Sequence, residues 1–193
     1  EAITLPVDKD VQRGGRSMPY SVEALEQEVS VSRYLKECVD VEQFLGYCQA
    51  CENYGKRWSC PPYAFQPRQL WKQYKRLHLF ARILCPSSDE TLTGLLKGMR
   101  AEKEKLMTEL LVLERRKPGA LALSAGSCAL CSDDCTRPHG ARCRHPEEMR
   151  RSIEALGGDV EKTMELYFHR PIVWVKNGEV PSYLTLVGGL LLK

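Results

Sequence analysis

The apolar positions of the chain predict several strands. Residues 77–84 are almost continuously apolar, which is typical of a strand at the centre of a sheet. Residues 29–35 alternate apolar and polar side chains, as a strand with one buried face does. Residues 120–125 predict a short strand of small side chains, and residues 172–175 and 183–192 predict one or two final strands.

Other apolar positions recur at helical spacing or are bounded by helix signals. Residues 40–48, 87–116, 146–157 and 159–168 are the predicted helices. Their start signals are Asp40 with Gln43, Ser87 with Glu90, Pro146, and Asp159. This order of strands and helices predicts an α+β (or α/β) fold, in which helices pack on a mixed β-sheet and two cysteine-rich metal-binding loops extend from it.

Composition and charge fit one folded unit. With 193 residues and 43% apolar side chains, the chain can bury one core, so residues 21–193 are expected to form a single cysteine-rich metal-binding domain. Residues 1–20 predict a loosely ordered N-terminal arm. The net charge of +3 comes from scattered residues, so no nucleic acid is expected as a partner. Residues 184–192 are too few to span a bilayer, so no membrane is expected either.

Nine cysteines are the unusual feature of the composition. Their odd number, the length of the chain and the lack of a visible signal peptide favour metal binding in a reducing, cytoplasmic setting over a disulfide framework. The chain begins at Glu1 without an initiator Met, so a removed leader and disulfides stay an alternative.

Four cysteines stand within sixteen residues after the predicted small-residue strand. They are Cys128, Cys131, Cys135 and Cys143, called here the four-thiol group. Closely spaced cysteines on a turning backbone can surround one centre, and the compact spacing favours a [4Fe–4S] cluster. Zinc is the alternative, although it usually takes two well-separated C-x2-C pairs. His139 and His145 are possible substitute ligands. Four arginines either offset thiolate charge, meet an acidic partner, or form a solvated face: Arg142, Arg144, Arg150 and Arg151.

Three further cysteines, Cys48, Cys51 and Cys60, form a second candidate site, called here the three-thiol group. A closed site needs one more ligand. If Cys38, Cys85 or a side chain of the four-thiol group supplies it, the site suits electron transfer; an open position suits an enzyme or a sulfur handler. Tyr54, Trp58 and Tyr63 either shield a cluster from water or pack against the core.

Two segments resemble a known family. Residues 54–63, YGKRWSCPPY, and residues 143–160, CRHPEEMRRSIEALGGDV, together with the Cys128/Cys131 pair, are similar to the predicted metal-binding proteins grouped as domain of unknown function 2284. The likeness extends over residues 29–192. It implies a metal-binding framework of all seven cysteines of the two groups, with Ser152, Glu154 and Asp159 in the accompanying helix motif, and no established reaction.

Three functions follow from these patterns. The leading hypothesis is a metal-binding protein with one or two [4Fe–4S]-type clusters that exchanges electrons with a redox partner protein. The second is an enzyme or sulfur-handling protein that uses an open iron at the three-thiol group. The third is a zinc-stabilised interaction module. No serine–histidine–aspartate arrangement or phosphate-binding glycine loop in the sequence independently indicates an enzyme.

Overall fold

The computed structural model describes residues 19–193. Its strands are β1 (Tyr20–Ser30), β2 (Arg76–Pro86), β3 (Leu121–Leu123) and β4 (Leu184–Leu192). Its α-helices are α1 (Val31–Glu37), α2 (Val41–Gln49), α3 (Pro67–Trp71), α4 (Leu92–Arg116) and α5 (Val160–Phe168). Two short 3-10 helices span Arg137–His139 and Glu154–Leu156. The predicted arm, residues 1–20, lies outside the described residues except for its end, where Tyr20 already belongs to β1.

The four strands form one sheet in the order β1-β2-β4-β3. The α+β class is confirmed, but the expected mixed sheet is wrong because every pair of neighbouring strands is antiparallel. The helices between β1 and β2 bring the chain back so that β2 lies next to β1 and runs in the opposite direction. The length of a connection alone does not determine whether two strands are parallel or antiparallel. One parallel bridge, between Ser124 and Ser152, lies beyond the end of β3.

The central position predicted for residues 77–84 is confirmed, because β2 lies between β1 and β4 and helices cover both of its faces. Leu79 and Ile83 pack into a core shared with α1, α3 and α5. Phe80 and Leu84 point the other way and pack with the apolar side of α4. Burial of each such side chain contributes roughly 1.5–3 kcal/mol, so the apolar run stabilises both layers.

The predicted strand over residues 29–35 is wrong for most of its length. β1 ends at Ser30, whose Oγ accepts a hydrogen bond from Arg33 N at 3.3 Å and caps α1. Val31, Tyr34 and Leu35 are all buried, and their spacing also matches one face of a helix. The short apolar run was therefore compatible with both structures, and the cap decided between them.

Two of the predicted helix starts are confirmed. Asp40 Oδ1 accepts from Gln43 N at 3.0 Å at the start of α2, and Asp159 Oδ1 accepts from Lys162 N at 3.0 Å at the start of α5. The predicted capping box at Ser87 is wrong, because α4 begins four residues later, after Thr91. The end of that helix at Arg116 is as predicted.

Two further predicted elements are absent from the described residues. The segment 146–153 forms turns instead of a helix, because Ser124 N donates to Arg151 O at 2.9 Å and the chain runs beside the end of β3. Residues 172–175 have no strand partner and pass along the surface, where Trp174 Nε1 donates to Glu161 Oε1 at 2.5 Å. Within residues 19–193, no helix is both long and apolar enough to cross a bilayer.

Candidate metal centre

The end of α2 and the loop after it position the three-thiol group. Cys48 lies in the last turn of α2, and Cys51 follows in a turn whose N–H donates to Cys48 O at 3.0 Å. Cys60 N donates to Arg57 O at 3.0 Å in a later turn of the same loop. The segment between Cys51 and Tyr63 has no helix or strand, as its glycine and prolines predict.

The three thiols lie close enough to influence one another. Burial raises the pKa of Cys48 to about 11, and the Cys60 and Cys51 thiols add to this increase. Burial also raises the pKa of Cys60. The hydrogen bond with Ser59 reduces this increase, and the Cys51 thiol adds to it. Ser59 Oγ is 3.7 Å from Cys60 Sγ. Because metals bind the thiolate form, a bound cation would remove the mutual repulsion that these groups experience when ionised.

The loop after β3 arranges the four-thiol group around one recess, called here the Cys128 recess. It has a volume of about 280 Å³ with the solvent at its mouth included. All four cysteines line it, together with Arg57, Trp58, Leu130, His145 and Met149. Burial raises the pKa of Cys128; a backbone hydrogen bond from Leu130 opposes the increase, and Cys143, Cys131 and Cys135 add to it.

The chemistry of these donors fits a metal centre. Four thiols around one recess are the donor set of a tetrahedral metal site or of a four-iron cluster. In residues 19–193, no three side chains of His, Cys, Asp or Glu already stand in metal-ligand geometry. The structure therefore brings the thiols of each group together without placing them at ligand distances.

Hydrogen bonds join the two cysteine groups into one scaffold. Cys128 N donates to Ser59 Oγ at 3.0 Å, so the residue before Cys60 holds the first cysteine of the other group. Arg57 Nη1 donates to Cys128 O at 3.1 Å and to Ser132 O at 2.5 Å. The two loops, distant in sequence, thus stabilise each other.

Arg137 strengthens this connection. Its guanidinium lies 5.6 Å from the ring centre of Trp58 and donates to several backbone carbonyls of the three-thiol loop. Those acceptors are Arg57 O at 2.6 Å, Cys60 O, Pro61 O at 3.5 Å, and Pro62 O. Apart from its position inside the cysteine-rich loop, nothing in the sequence distinguishes Arg137 from the other arginines.

A comparison with protein families gives one match. The family model described as "Predicted metal-binding protein (DUF2284)" matches residues 35–192. The chain belongs to this family. The DUF2284 match includes both cysteine groups and the Glu154–Leu156 3-10 helix. No curated protein and no solved structure matches the chain.

The arginines expected near the four-thiol group of this DUF2284 chain have other partners. Arg150 forms a buried ion pair with Glu114, and Arg144 pairs with Asp134 at 2.9 Å. The Arg151 guanidinium lies 5.0 Å from the ring centre of Tyr63 and 4.8 Å from that of Phe65. Arg142 is exposed. Arg144 remains beside Cys131, whereas Arg150 and Arg151 serve the packing of the loop.

Lys103 of α4 brings a positive charge to the four-thiol group. Its Nζ donates to Ser127 O at 2.5 Å, directly before Cys128. Burial lowers the pKa of Lys103, while the neighbouring Cys128 and Glu154 oppose that decrease. The residue stands in an ordinary amphipathic helix, so nothing in the sequence distinguished it from a solvated lysine.

The remaining candidate residues differ in whether they line a recess. His145 lines the Cys128 recess, whereas His139 is exposed in the short 3-10 helix. Cys38 is 1% exposed in the core and Cys85 lies in β2, and neither lines a described recess. All nine cysteines, which all fall in the described part of the chain, are free thiols.

A second recess, called here the Cys48 recess, opens beside the three-thiol group. Its volume is about 600 Å³ with open solvent included. Its walls are Val41, Leu45, Cys48, Tyr54, Pro61, Pro62, Tyr63, Phe65, Gln66, Pro67, Glu154, Ala155 and Gly157. Glu154 Oε2 is buried and has no hydrogen-bond partner, and burial raises the pKa of this carboxyl. An acidic group and a thiol therefore face one apolar, aromatic space.

Proposed function

We propose that this protein holds one or two [4Fe–4S]-type iron–sulfur clusters and exchanges electrons with a redox partner protein. The ligands of one cluster are Cys128, Cys131, Cys135 and Cys143, and those of the other include Cys48, Cys51 and Cys60. A bound cluster supplies one-electron chemistry. The observation that supports this proposal best is the convergence of four thiols on the Cys128 recess.

The surroundings of the thiols suit iron–sulfur chemistry. Cluster potentials depend on hydrogen bonds to the sulfurs and on nearby charge. Asn53 Nδ2 lies 3.9 Å from Cys51 Sγ and Ser59 Oγ lies 3.7 Å from Cys60 Sγ. Arg57 and Lys103 bring positive charge to the place where the two groups meet. These donors would offset the negative charge that a thiolate-bound cluster adds.

The shared scaffold favours electron relay in particular. The contact between Ser59 and Cys128 places a ligand loop of one group directly against that of the other. Such proximity suits two centres that pass an electron between them before a partner accepts it. Nine free thiols also fit a reducing compartment, and we propose the cytoplasm.

A second candidate, an enzyme or sulfur-handling protein with an open iron, is supported by the Cys48 recess. Cys48 faces this space, and Tyr54 and Tyr63 contribute to its walls. Apolar, aromatic walls with few polar groups are typical of small-molecule sites. A small molecule in this recess would meet a metal at the three-thiol group.

The deciding experiment is an analysis of protein purified without oxygen. Iron, acid-labile sulfide and zinc are counted per chain, and the visible spectrum is recorded. The proposal predicts a brown protein with about four irons and four sulfides for each cluster. A colourless protein with one or two zincs would refute both iron hypotheses and support the zinc-stabilised module. A spectral change on addition of small thiols would favour the open iron over the electron carrier.

A further inference from the structure

The Cys48 recess contains a carboxyl group whose placement suggests a ligand. Glu154 stands at the start of the Glu154–Leu156 3-10 helix, which packs against α2. Asp40 N, at the start of α2, donates to Gly157 O at 2.9 Å and fixes the two elements together. Cys48 lies in the last turn of α2, and both its thiol and the Glu154 side chain line the recess.

Ser152 and the positive charge of Lys103 act on the Glu154 carboxyl, but one of its two oxygens has no hydrogen-bond partner. Its Oε2 is buried without a hydrogen bond. An unpartnered polar atom in such a place destabilises the fold, and more so if it is charged. A cation at the three-thiol group would offset this cost. Among the residues that line the recess, Cys48 and Glu154 are the only Cys, His, Asp or Glu side chains.

Other candidates for a fourth ligand are placed elsewhere. Cys38 is 1% exposed and packs in the core beneath α1, and Cys85 belongs to β2. Neither lines the Cys48 recess, whose only cysteine is Cys48, and neither influences the pKa of Cys48, whereas Cys60 and Cys51 lie close enough to raise it. The four-thiol group surrounds the Cys128 recess instead.

We infer that the Glu154 carboxylate is the fourth protein ligand, through oxygen, of the metal centre held by Cys48, Cys51 and Cys60. This inference rests on the proposed metal-binding function of the three-thiol group. It makes the two centres chemically different, one with four thiolates and one with three thiolates and a carboxylate. An oxygen ligand exchanges more readily than a thiolate on a soft metal, so this centre is the one at which an outside molecule could bind.

Cobalt(II) tests the ligand set independently of the native metal. The apo full-length chain is titrated with Co²⁺ under reducing, oxygen-free conditions, and thiolate-to-cobalt and d–d absorption bands are recorded. The variants are Glu154→Gln and Cys48→Ser, with Glu102→Gln as the matched control. Glu102 is a glutamate of α4 that is 8% exposed; it contacts Tyr20 of β1 and Lys105 of α4, and it lines neither recess.

The inference predicts that Glu154→Gln and Cys48→Ser alter the same set of bands and each weaken that site by at least about 10-fold. Glu102→Gln should leave both sites unchanged. Wild-type affinity and unchanged bands in Glu154→Gln would overturn the inference. If zinc rather than iron is found in the native protein, the electron-transfer proposal fails while this titration still decides the role of Glu154.

A melting experiment on the apo proteins separates ligation from a structural role. A neutral amide avoids the cost of burying a charge, so apo Glu154→Gln should melt at or above the wild-type temperature. If it melts lower, Glu154→Asp serves as the second variant, because it keeps the charge and withdraws the oxygen by one methylene. Lower cobalt affinity at an unchanged melting temperature supports ligation, and unchanged affinity in Glu154→Asp overturns it.

Discussion

Ser59 and Cys128 are 69 positions apart in the chain, and Cys128 N donates to Ser59 Oγ at 3.0 Å. Ser59 is 1% exposed, so this contact is sheltered from water. The same hydroxyl is in hydrogen-bond contact with the thiol of Cys60, 3.7 Å away. One side chain therefore connects the two cysteine groups.

Replacement of Ser59 by alanine should weaken both groups. The change leaves the Cys128 N–H without its acceptor in a partly buried place, which should lower the free energy of unfolding by about 1–3 kcal/mol. Urea unfolding of the apo protein measures the stability, and metal analysis measures the total metal bound per chain. Ser182→Ala, at an exposed position, is the control. Normal stability and normal metal content in Ser59→Ala would contradict the role given to this contact.

Single cysteine variants should divide the cysteines into ligands and core thiols. Cys60→Ser and Cys128→Ser should each lower the metal content of the purified protein, because serine is a poor substitute for a thiolate on a soft metal. Cys85→Ser should keep the full metal content, since Cys85 lies in β2 away from both recesses. Metal per chain, measured by elemental analysis, is the readout. Full metal retention in Cys60→Ser would contradict metal binding by the three-thiol group.

Replacement of Gly157 by alanine should destabilise the protein, whereas the same replacement at Gly46 should not. Gly157 has φ 87°, and a Cβ there would lie 2.7 Å from Val41 Cα, at the start of α2. Gly157→Ala should therefore cost more than about 1 kcal/mol and disturb the helix that positions Cys48. Gly46 lies in α2 with nothing within 4 Å of its Cβ position, so Gly46→Ala should be neutral or stabilise by up to about 1 kcal/mol.

Urea unfolding of both glycine variants, with cobalt titration of the three-thiol group, tests this pair. The helix-propensity gain of Gly46→Ala serves as the internal control for effects on α2 as a whole. Equal stability of Gly157→Ala and Gly46→Ala would contradict the close packing described between Gly157 and Val41.

The buried ion pair of Glu114 and Arg150 should make the stability of the fold depend on pH. Burial opposes ionisation of Glu114, but hydrogen bonds from Arg150 and from Ala122 N outweigh it and lower the pKa of the carboxyl. The side chains of Glu114 and Arg150 are 15% and 13% exposed. Because the pKa of Glu114 is lower in the folded protein than in the unfolded chain, the ion pair contributes its full stabilisation above about pH 4.5. This contribution to stability is lost as the pH falls through the pKa of Glu114 in the folded protein.

Thermal melting of the apo protein between neutral pH and about pH 3 measures this dependence. The Glu114→Gln variant should show a smaller loss of stability on acidification than the wild type, and lower stability at neutral pH because Arg150 loses its partner. Identical pH profiles for the two proteins would show that the ion pair contributes nothing to acid sensitivity.

Local signals in the sequence were sufficient for much of the fold. The apolar run of residues 77–84 gave a central strand, and the caps at Asp40 and Asp159 gave the starts of α2 and α5. These predictions succeeded because each depends on neighbouring residues only. The strand predicted at residues 29–35 failed because its short apolar pattern suits a helix equally well, and the helix predicted at residues 146–157 failed because that backbone pairs with Ser124.

The sequence by itself divided seven of the cysteines into two groups, since their close spacing limits how far apart the chain can place the members of each group. The relation between the groups was decided by tertiary structure. Arg57, Ser59, Lys103 and Arg137 contact backbone atoms far away in the chain, and such contacts leave no spacing pattern. Glu154 was visible only as part of a motif. Its place opposite Cys48 depends on the packing of a 3-10 helix against α2, which no local pattern encodes.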